Sequence, residues 1–165
     1  MKLFTKLLSL PLLLLTGPAG QASAEGGLEE SGQPIARSGS QAAIKGSAEF
    51  FTGNVRIDPL FPATAWMPVS GGMVTFEPGA RSFWHVHPTG QQLLVVSGVG
   101  RTGVWKGEVV EIKAGDVVTC PPGVKHWHGA SPAAAMSHIA ITGTVDGKNV
   151  DWLEEVSDEQ YNGGR

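Results

Sequence analysis

Two stretches of the sequence decide its fold: GARSFWHVHPTGQQLLVVSG (79–98) and GDVVTCPPGVKH (115–126). Each contains short apolar runs that are broken by glycine and proline, which is typical of strands joined by tight turns. Successive side chains of a strand point to opposite faces, so His85 and His87 share one face. Gln91 opens the next predicted strand, close to these two histidines.

The second stretch repeats this arrangement and extends it. His126 and His128 are also two residues apart and share a strand face. The rigid turn at 121–123 fixes where His126 enters its strand. If both histidine faces line a barrel interior, their imidazoles converge on one point. Neutral nitrogen and oxygen ligands from separate strands then predict a site for a divalent first-row metal.

Short predicted strands continue on both sides of these stretches, from about residue 71 to residue 143. The chain has 165 residues, 23 glycines, 11 prolines and only 16% charged residues. Regular short strands separated by Gly/Pro turns predict an all-β sandwich or barrel and argue against a helical bundle. The net charge of -3 gives no reason to expect nucleic acid as a partner.

The N-terminus is predicted to be an export signal. Residues 1–24 contain two lysines, a short apolar run and an Ala-Ser-Ala cleavage site. We expect a periplasmic or secreted protein with no membrane contact after cleavage; the alternative is an uncleaved anchor. Residues 25–46 are predicted to be a flexible segment, and 47–165 to be the folded domain. The polar C-terminal end is expected to form a short helix or an extended arm.

The motif spacing resembles that of a known superfamily. Gly79-(five residues)-His85-x-His87-(three residues)-Gln91-(six residues)-Gly98 resembles the first cupin motif. Gly115-(five residues)-Pro121-x-Gly123-(two residues)-His126 resembles the second. The resemblance implies a double-stranded β-helix, or jelly-roll barrel, with its core at about 71–143. It also implies a metal held by the following ligands: His85, His87, Gln91 and His126.

The sequence departs from the usual cupin pattern at two positions. Gln91 stands where glutamate is usual, and Ala130 stands where asparagine often ends the second motif. The wider sequence resembles small bacterial cupins with three histidines and one glutamine, some of which are manganese-dependent (R)-selective hydroxynitrile lyases. The resemblance favours manganese, and the ligand types also allow iron, cobalt, nickel or zinc.

The glutamine changes the chemistry that the site can support. A neutral Gln91 leaves the full divalent charge on the metal, which makes it a stronger Lewis acid and lowers the pKa of bound hydroxyl groups. This favours polar lyase or hydrolytic chemistry over oxygen activation. The alternative interpretation of Gln91 is a hydrogen-bonding neighbour of the metal ligands rather than a ligand.

Two further histidines are candidates for proton transfer. His128 lies on the strand face of His126, and His138 alternates with Ile139 and Ile141 on a later strand. An imidazole that titrates near neutrality suits a general base. The alternatives are a supporting or surface residue for His128 and a core histidine for His138. Three residues are expected to line the substrate pocket: Val74, Phe76 and Thr142.

The leading hypothesis is an exported metal-dependent lyase that acts on a small cyanohydrin-like substrate. One alternative is a metal-dependent dioxygenase, which open coordination positions permit. Another is a non-enzymatic cupin that binds a small molecule, because fold alone does not determine function. We also expect a homo-oligomer, with dimer and tetramer both open.

Overall fold

The computed structural model describes residues 32–164. The predicted export signal, 1–24, lies outside the described residues, as does the first part of the predicted flexible segment. The described strands and helix have the following bounds: β1 (Ile44–Lys45), β2 (Phe51–Thr52), β3 (Val55–Phe61), β4 (Val69–Phe76), β5 (Arg81–Ser82), β6 (His85–Val86), β7 (Gln91–Val104), β8 (Val109–Lys113), β9 (Val117–Cys120), β10 (His126–Ala130), β11 (Met136–Gly143), β12 (Asp151–Trp152) and α1 (Asp158–Tyr161).

The strands form two antiparallel sheets that share β7. One sheet has the order β1-β3-β4-β11-β7-β9. The other runs β2-β5-β10-β7-β8, and the short strand β6 lies between β10 and β12. Because a single strand of 14 residues belongs to both sheets, the chain curls into a half-barrel. The all-β jelly-roll prediction is therefore confirmed.

Gly98 is the corner at which β7 passes from one sheet to the other. Its φ of 76° lies in the left-handed region, which glycine enters without steric penalty. A Cβ atom here would lie 1.9 Å from the carbonyl oxygen of Ala135. The β7–β11 register also shifts next to this corner, between Ser137 and His138. Met136 and His138, on either side of this irregularity, are both fully buried.

Two hydrophobic clusters stabilise the sheets. The first lies inside the curl and includes Phe51, Phe76 and Met136. The second lies on the outer side of β10 and consists of Trp84, Trp127, Val156 and Tyr161. Both tryptophans are almost fully buried and serve as packing residues.

The two ends of the domain contain more regular structure than their composition suggested. Strand β1 lies within the segment predicted to be flexible and pairs with β3 through Ile44 and Ile57. This pairing is physically reasonable because β3 would otherwise expose a free edge of hydrogen-bonding groups. The C-terminal end contains both an extended strand and a short helix, the two alternatives expected from sequence. Strand β12 is extended, and α1 begins at a capping box made by Ser157 and Gln160.

Two further observations concern the described part of the chain. No helix among residues 32–164 is long and apolar enough to cross a membrane. Cys120 is buried at the end of β9. Burial raises the pKa of its thiol to about 11, so the reactive thiolate is disfavoured.

Candidate metal centre

The metal site predicted from sequence is assembled from strands that meet inside the curl. In the antiparallel pairing of β6 and β10, His85 lies directly opposite His126. Their ring centroids are 4.4 Å apart, and the ring of His87 lies 5.1 Å from His85 and 5.3 Å from His126. All three side chains are buried. Strand pairing thus brings the two distant motifs into contact.

Each of these three histidines is oriented by a backbone carbonyl. The Nδ1 atoms of His85 and His126 donate to the carbonyls of Phe83 and Val124, both at 2.8 Å. The Nδ1 atom of His87 donates to the carbonyl of Asn149 at 2.6 Å. A carbonyl can only accept, so the proton of each neutral ring resides on Nδ1 and the Nε2 lone pair remains free to bind a metal.

Gln91 has a comparable arrangement. Its amide nitrogen donates to Oγ1 of Thr142 at 2.9 Å. Its amide oxygen is buried and has no hydrogen-bond partner, and the same holds for Nε2 of His87 and of His126. Buried polar atoms without partners are rare in folded proteins and require an explanation. A divalent cation that accepts all of these lone pairs would provide one, so the residues present fit a metal.

His128 and His138 form a pair beside this cluster. Nε2 of His138 lies 3.1 Å from Nδ1 of His128, within hydrogen-bonding distance. The outer nitrogens of the pair, Nε2 of His128 and Nδ1 of His138, are buried without partners. Phe76 packs against both rings, at centroid distances of 5.8 and 5.6 Å. The pair can therefore pass one proton between its rings.

The geometry also allows a second choice of ligands. Potential ligand atoms of His85, His126 and His128 lie within 4.8 Å of one another. His128 therefore lies close enough to bind a metal, although sequence reasoning assigned it to proton transfer and placed His87 among the ligands. The ligand set His85, His87, Gln91 and His126 stays a prediction, with His128 as its competitor.

Burial keeps all five histidines uncharged. Desolvation lowers the pKa of His126 and of His138 to about 4. The pKa values of His85 and His128 are also lowered, first by desolvation and then by neighbouring histidines. Desolvation lowers that of His87, opposed by its bond to Asn149. Neutral imidazoles are the form that binds a metal, so the cluster is ready for one at neutral pH. The lowered pKa values also make His128 and His138 weaker proton acceptors than the near-neutral titration expected from sequence would make them.

Three of the four candidate ligands, His85, His87 and Gln91, border a cavity of about 160 Å³. Of the three residues expected to line a substrate pocket, Val74 and Thr142 border this cavity. Phe76 packs against His128 and His138 and is not among the lining residues. Sequence reasoning missed several lining residues because they come from other segments, and these include Phe51, Ile57, Asn149, Val150 and Trp152. The sequence contained no signal for the carbonyl of Asn149, since every residue has one.

Comparisons with known proteins agree with this fold. The family model "Cupin domain" matches residues 72–141. The chain is 58% identical over 127 residues to a protein of Granulicella tundricola named (R)-mandelonitrile lyase, covering 77% of this chain and 97% of the relative. This chain belongs to the cupin superfamily. The resemblance noted in the motifs is thereby confirmed.

Solved structures support the same assignment. A cupin-like protein of Thermotoga maritima is 42% identical, with a TM-score of 0.68 and coverage of 72% of this chain and 90% of that one. A cupin-2 domain protein of Rhodospirillum rubrum, 18% identical, has a TM-score of 0.61 and coverage of 78% and 90%. The second likeness concerns the fold alone.

Proposed function

We propose that this cupin is an exported metal-dependent lyase of the hydroxynitrile lyase type, which cleaves or forms the carbon–carbon bond of a small cyanohydrin-like substrate. The observation that carries the proposal is the buried group of unpartnered nitrogen and oxygen atoms beside the His128–His138 pair. The relative named (R)-mandelonitrile lyase supports the reaction class. Manganese is the proposed metal, on the resemblance of the site to manganese-dependent members.

Four residues would hold the metal: His85, His87, Gln91 and His126. When bound, a divalent cation would act as a Lewis acid that lowers the pKa of the substrate hydroxyl. Gln91 matters here because its amide is neutral and removes none of the cation's charge. The remaining chemistry is proton transfer, and the protein itself supplies it.

His128 is the proposed acceptor of the hydroxyl proton. In the productive tautomer, its Nδ1 atom donates to Nε2 of His138 and its own Nε2 atom is unprotonated. As Nε2 takes the hydroxyl proton, the substrate C–O bond becomes a carbonyl, and the carbon–carbon bond breaks with its electron pair leaving on cyanide. The protonated pair then gives one proton to cyanide, which leaves as hydrogen cyanide. Burial lowers the pKa of both rings, which favours release of this proton and opposes its capture from the hydroxyl. A bound cation would offset the second effect by lowering the pKa of the hydroxyl.

Gln91→Glu tests the charge argument on which the proposal depends. The substitution adds a negative charge beside the metal, so we expect metal content to be kept while cyanohydrin cleavage falls. Metal analysis and cleavage of mandelonitrile should be measured on the same preparation. Chelator treatment should abolish cleavage, and the reaction should consume no oxygen, which separates a lyase from a dioxygenase or a passive binding protein. Equal or faster cleavage by Gln91→Glu would contradict the charge argument.

Export and assembly are separate parts of the proposal. N-terminal sequencing of the protein from its own cells should find Glu25 as the first residue, and a retained Met1 would refute cleavage. A homo-oligomer is supported by apolar side chains exposed on the sheets, including Val96, Val110 and Val117. Light scattering during size-exclusion chromatography would distinguish a monomer, a dimer and a tetramer.

A further inference from the structure

The cavity beside the candidate ligands is lined by side chains of two kinds. Some are polar, among them His87, Gln91 and Thr142. The apolar lining residues are Phe51, Ile57, Val74, Ala140, Val150 and Trp152. No lysine, arginine, aspartate or glutamate is among the described residues that line it. The cavity therefore suits an uncharged ligand with one polar group and one apolar substituent.

Trp152 is an apolar lining residue whose ring lies against the candidate ligand His85. It pairs with His85 across β12 and β6, and the two ring centroids are 4.9 Å apart. A substituent on a carbon whose oxygen binds beside His85 would extend over a similar distance. The indole is thus within reach of the side group of a ligand that binds in this cavity.

The indole ring is also held in a fixed position. Phe50 stacks on it at a centroid distance of 4.9 Å and an interplanar angle of 18°. Phe51 meets it edge-on at 5.4 Å. Packed aromatic neighbours of this kind restrict the rotamers of a side chain. A wall that cannot move aside discriminates substituents by size.

We propose that Trp152 is a specificity-determining residue. Its indole forms the wall of the cavity against which the apolar substituent of a small neutral alcohol or carbonyl substrate packs. The identity of the reaction rests on the proposed lyase function. The cavity of about 160 Å³ is close to the roughly 150 Å³ of an apolar cavity that accepts one benzene ring. A substituent with one six-membered ring therefore suits this space better than a fused pair of rings while the indole is in place.

Binding of unreactive alcohols tests this proposal without turnover. The Mn²⁺-loaded protein is titrated with benzyl alcohol, naphthylmethanol and propanol, and line broadening of the alcohol protons by bound Mn²⁺ gives each Kd. Trp152→Leu removes the wall, Trp152→Phe keeps an aromatic ring there, and Trp66→Leu is the control because Trp66 is 79% exposed. Metal content is measured for every variant.

We expect Trp152→Leu to bind benzyl alcohol about tenfold more weakly than the parent does, and to bind naphthylmethanol more tightly. The size of the effect follows because pocket contacts of this kind discriminate between related ligands by roughly 10–200-fold. Trp152→Phe and Trp66→Leu should keep the parent preference for benzyl alcohol. The gain for naphthylmethanol excludes general damage as the cause. If Trp152→Leu loses metal, the Trp152→Phe variant still tests the proposal. Its cavity is slightly larger than that of the parent. The affinity for naphthylmethanol relative to benzyl alcohol must therefore be higher in Trp152→Phe than in Trp66→Leu.

Kinetics separate this inference from the proposed function. With cyanohydrins of matched substituents, Trp152→Leu should change KM in the same order as the alcohol Kd values and change kcat much less. A parent that binds the alcohols with this dependence on Trp152 but cleaves no cyanohydrin would refute the lyase function alone. Unchanged ratios among the three alcohols in both Trp152 variants would refute the specificity role, whether or not cyanohydrins are cleaved.

Discussion

The two faces of strand β10 have opposite characters. On the inner face, Nε2 atoms of His126 and His128 are buried without hydrogen-bond partners. On the outer face, Trp127 is buried between Trp84 and the C-terminal helix, with its ring 5.5 Å from that of Tyr161. Of the three consecutive residues 126–128, the two histidines face a site in which they lack hydrogen-bond partners, and the tryptophan faces a well-packed aromatic cluster.

This difference shows how the domain tolerates its own site. Burying an imidazole without a partner is unfavourable, and the lowering of the pKa of His126 to about 4 is a sign of that desolvation. The aromatic cluster offsets this unfavourable term from the other side of the same strand. Metal binding would then add stability to the inner face, because a ligand that binds only the folded state stabilises it.

Removing His126 should have the largest effect on the inner face. His126→Ala deletes a proposed metal ligand, so metal affinity should fall by more than the roughly 10–100-fold that is typical for partners of ligands. Cyanohydrin cleavage should be lost as well. Competition with a chelator of known affinity measures the change. Full metal occupancy in this variant would remove His126 from the ligand set.

Removing Trp127 should damage the outer face alone. Trp127→Ala leaves a large void in the aromatic cluster, and such substitutions lower the free energy of unfolding by about 3–5 kcal/mol. Urea denaturation of the metal-free protein measures the loss, and Trp66→Ala is a control at an exposed position. At temperatures where the variant is folded, its metal affinity should stay close to that of the parent. A loss of metal without a loss of stability would show that the two faces are not independent.

The proton pair gives a smaller and more selective effect. His138→Ala and His128→Ala should each lower turnover by roughly 100-fold, the typical contribution of one proton-transfer partner, while metal content stays near normal. Turnover at saturating Mn²⁺ is the measurement. If His128→Ala loses metal as completely as His126→Ala, then His128 is a ligand, as its position in the cluster permits. If both variants keep parental rates, neither residue is the base.

Much of this comparison could be predicted from sequence. Strand alternation alone assigns Trp127 to the face opposite His126 and His128, and the structure agrees. The motif spacing placed His85 and His126 in one site, and antiparallel pairing puts them directly opposite each other. These predictions succeeded because each depends on local periodicity within strands of four or more residues, or on a motif that fixes the turn between strands.

Other parts of the site depend on contacts between distant segments. The carbonyl that orients His87 belongs to Asn149, 62 residues later, and Trp152 reaches His85 only because β12 pairs with β6. A two-residue strand has no period to detect. Phe76 illustrates the same limit: it is expected to line the pocket, yet it packs against the histidine pair and is not among the residues that line the cavity.

The smallest expected effect concerns the hydroxyl of Tyr161, which links the outer face of β10 to α1. The hydroxyl donates to the carbonyl of Ala130 at 2.7 Å, and the ring is 4% exposed. Tyr161→Phe keeps the ring against Trp127 but removes the hydroxyl that donates to the buried carbonyl of Ala130. The free energy of unfolding should therefore fall by about 1 kcal/mol. Urea denaturation of the metal-free parent and variant measures this difference. Metal affinity should be the same in both, because the substitution leaves the histidine face unaltered. A change in the Kd for Mn²⁺ larger than about threefold would show that the outer face helps to position the ligands. The two faces of β10 would then not be independent at Ala130, the last residue of the strand.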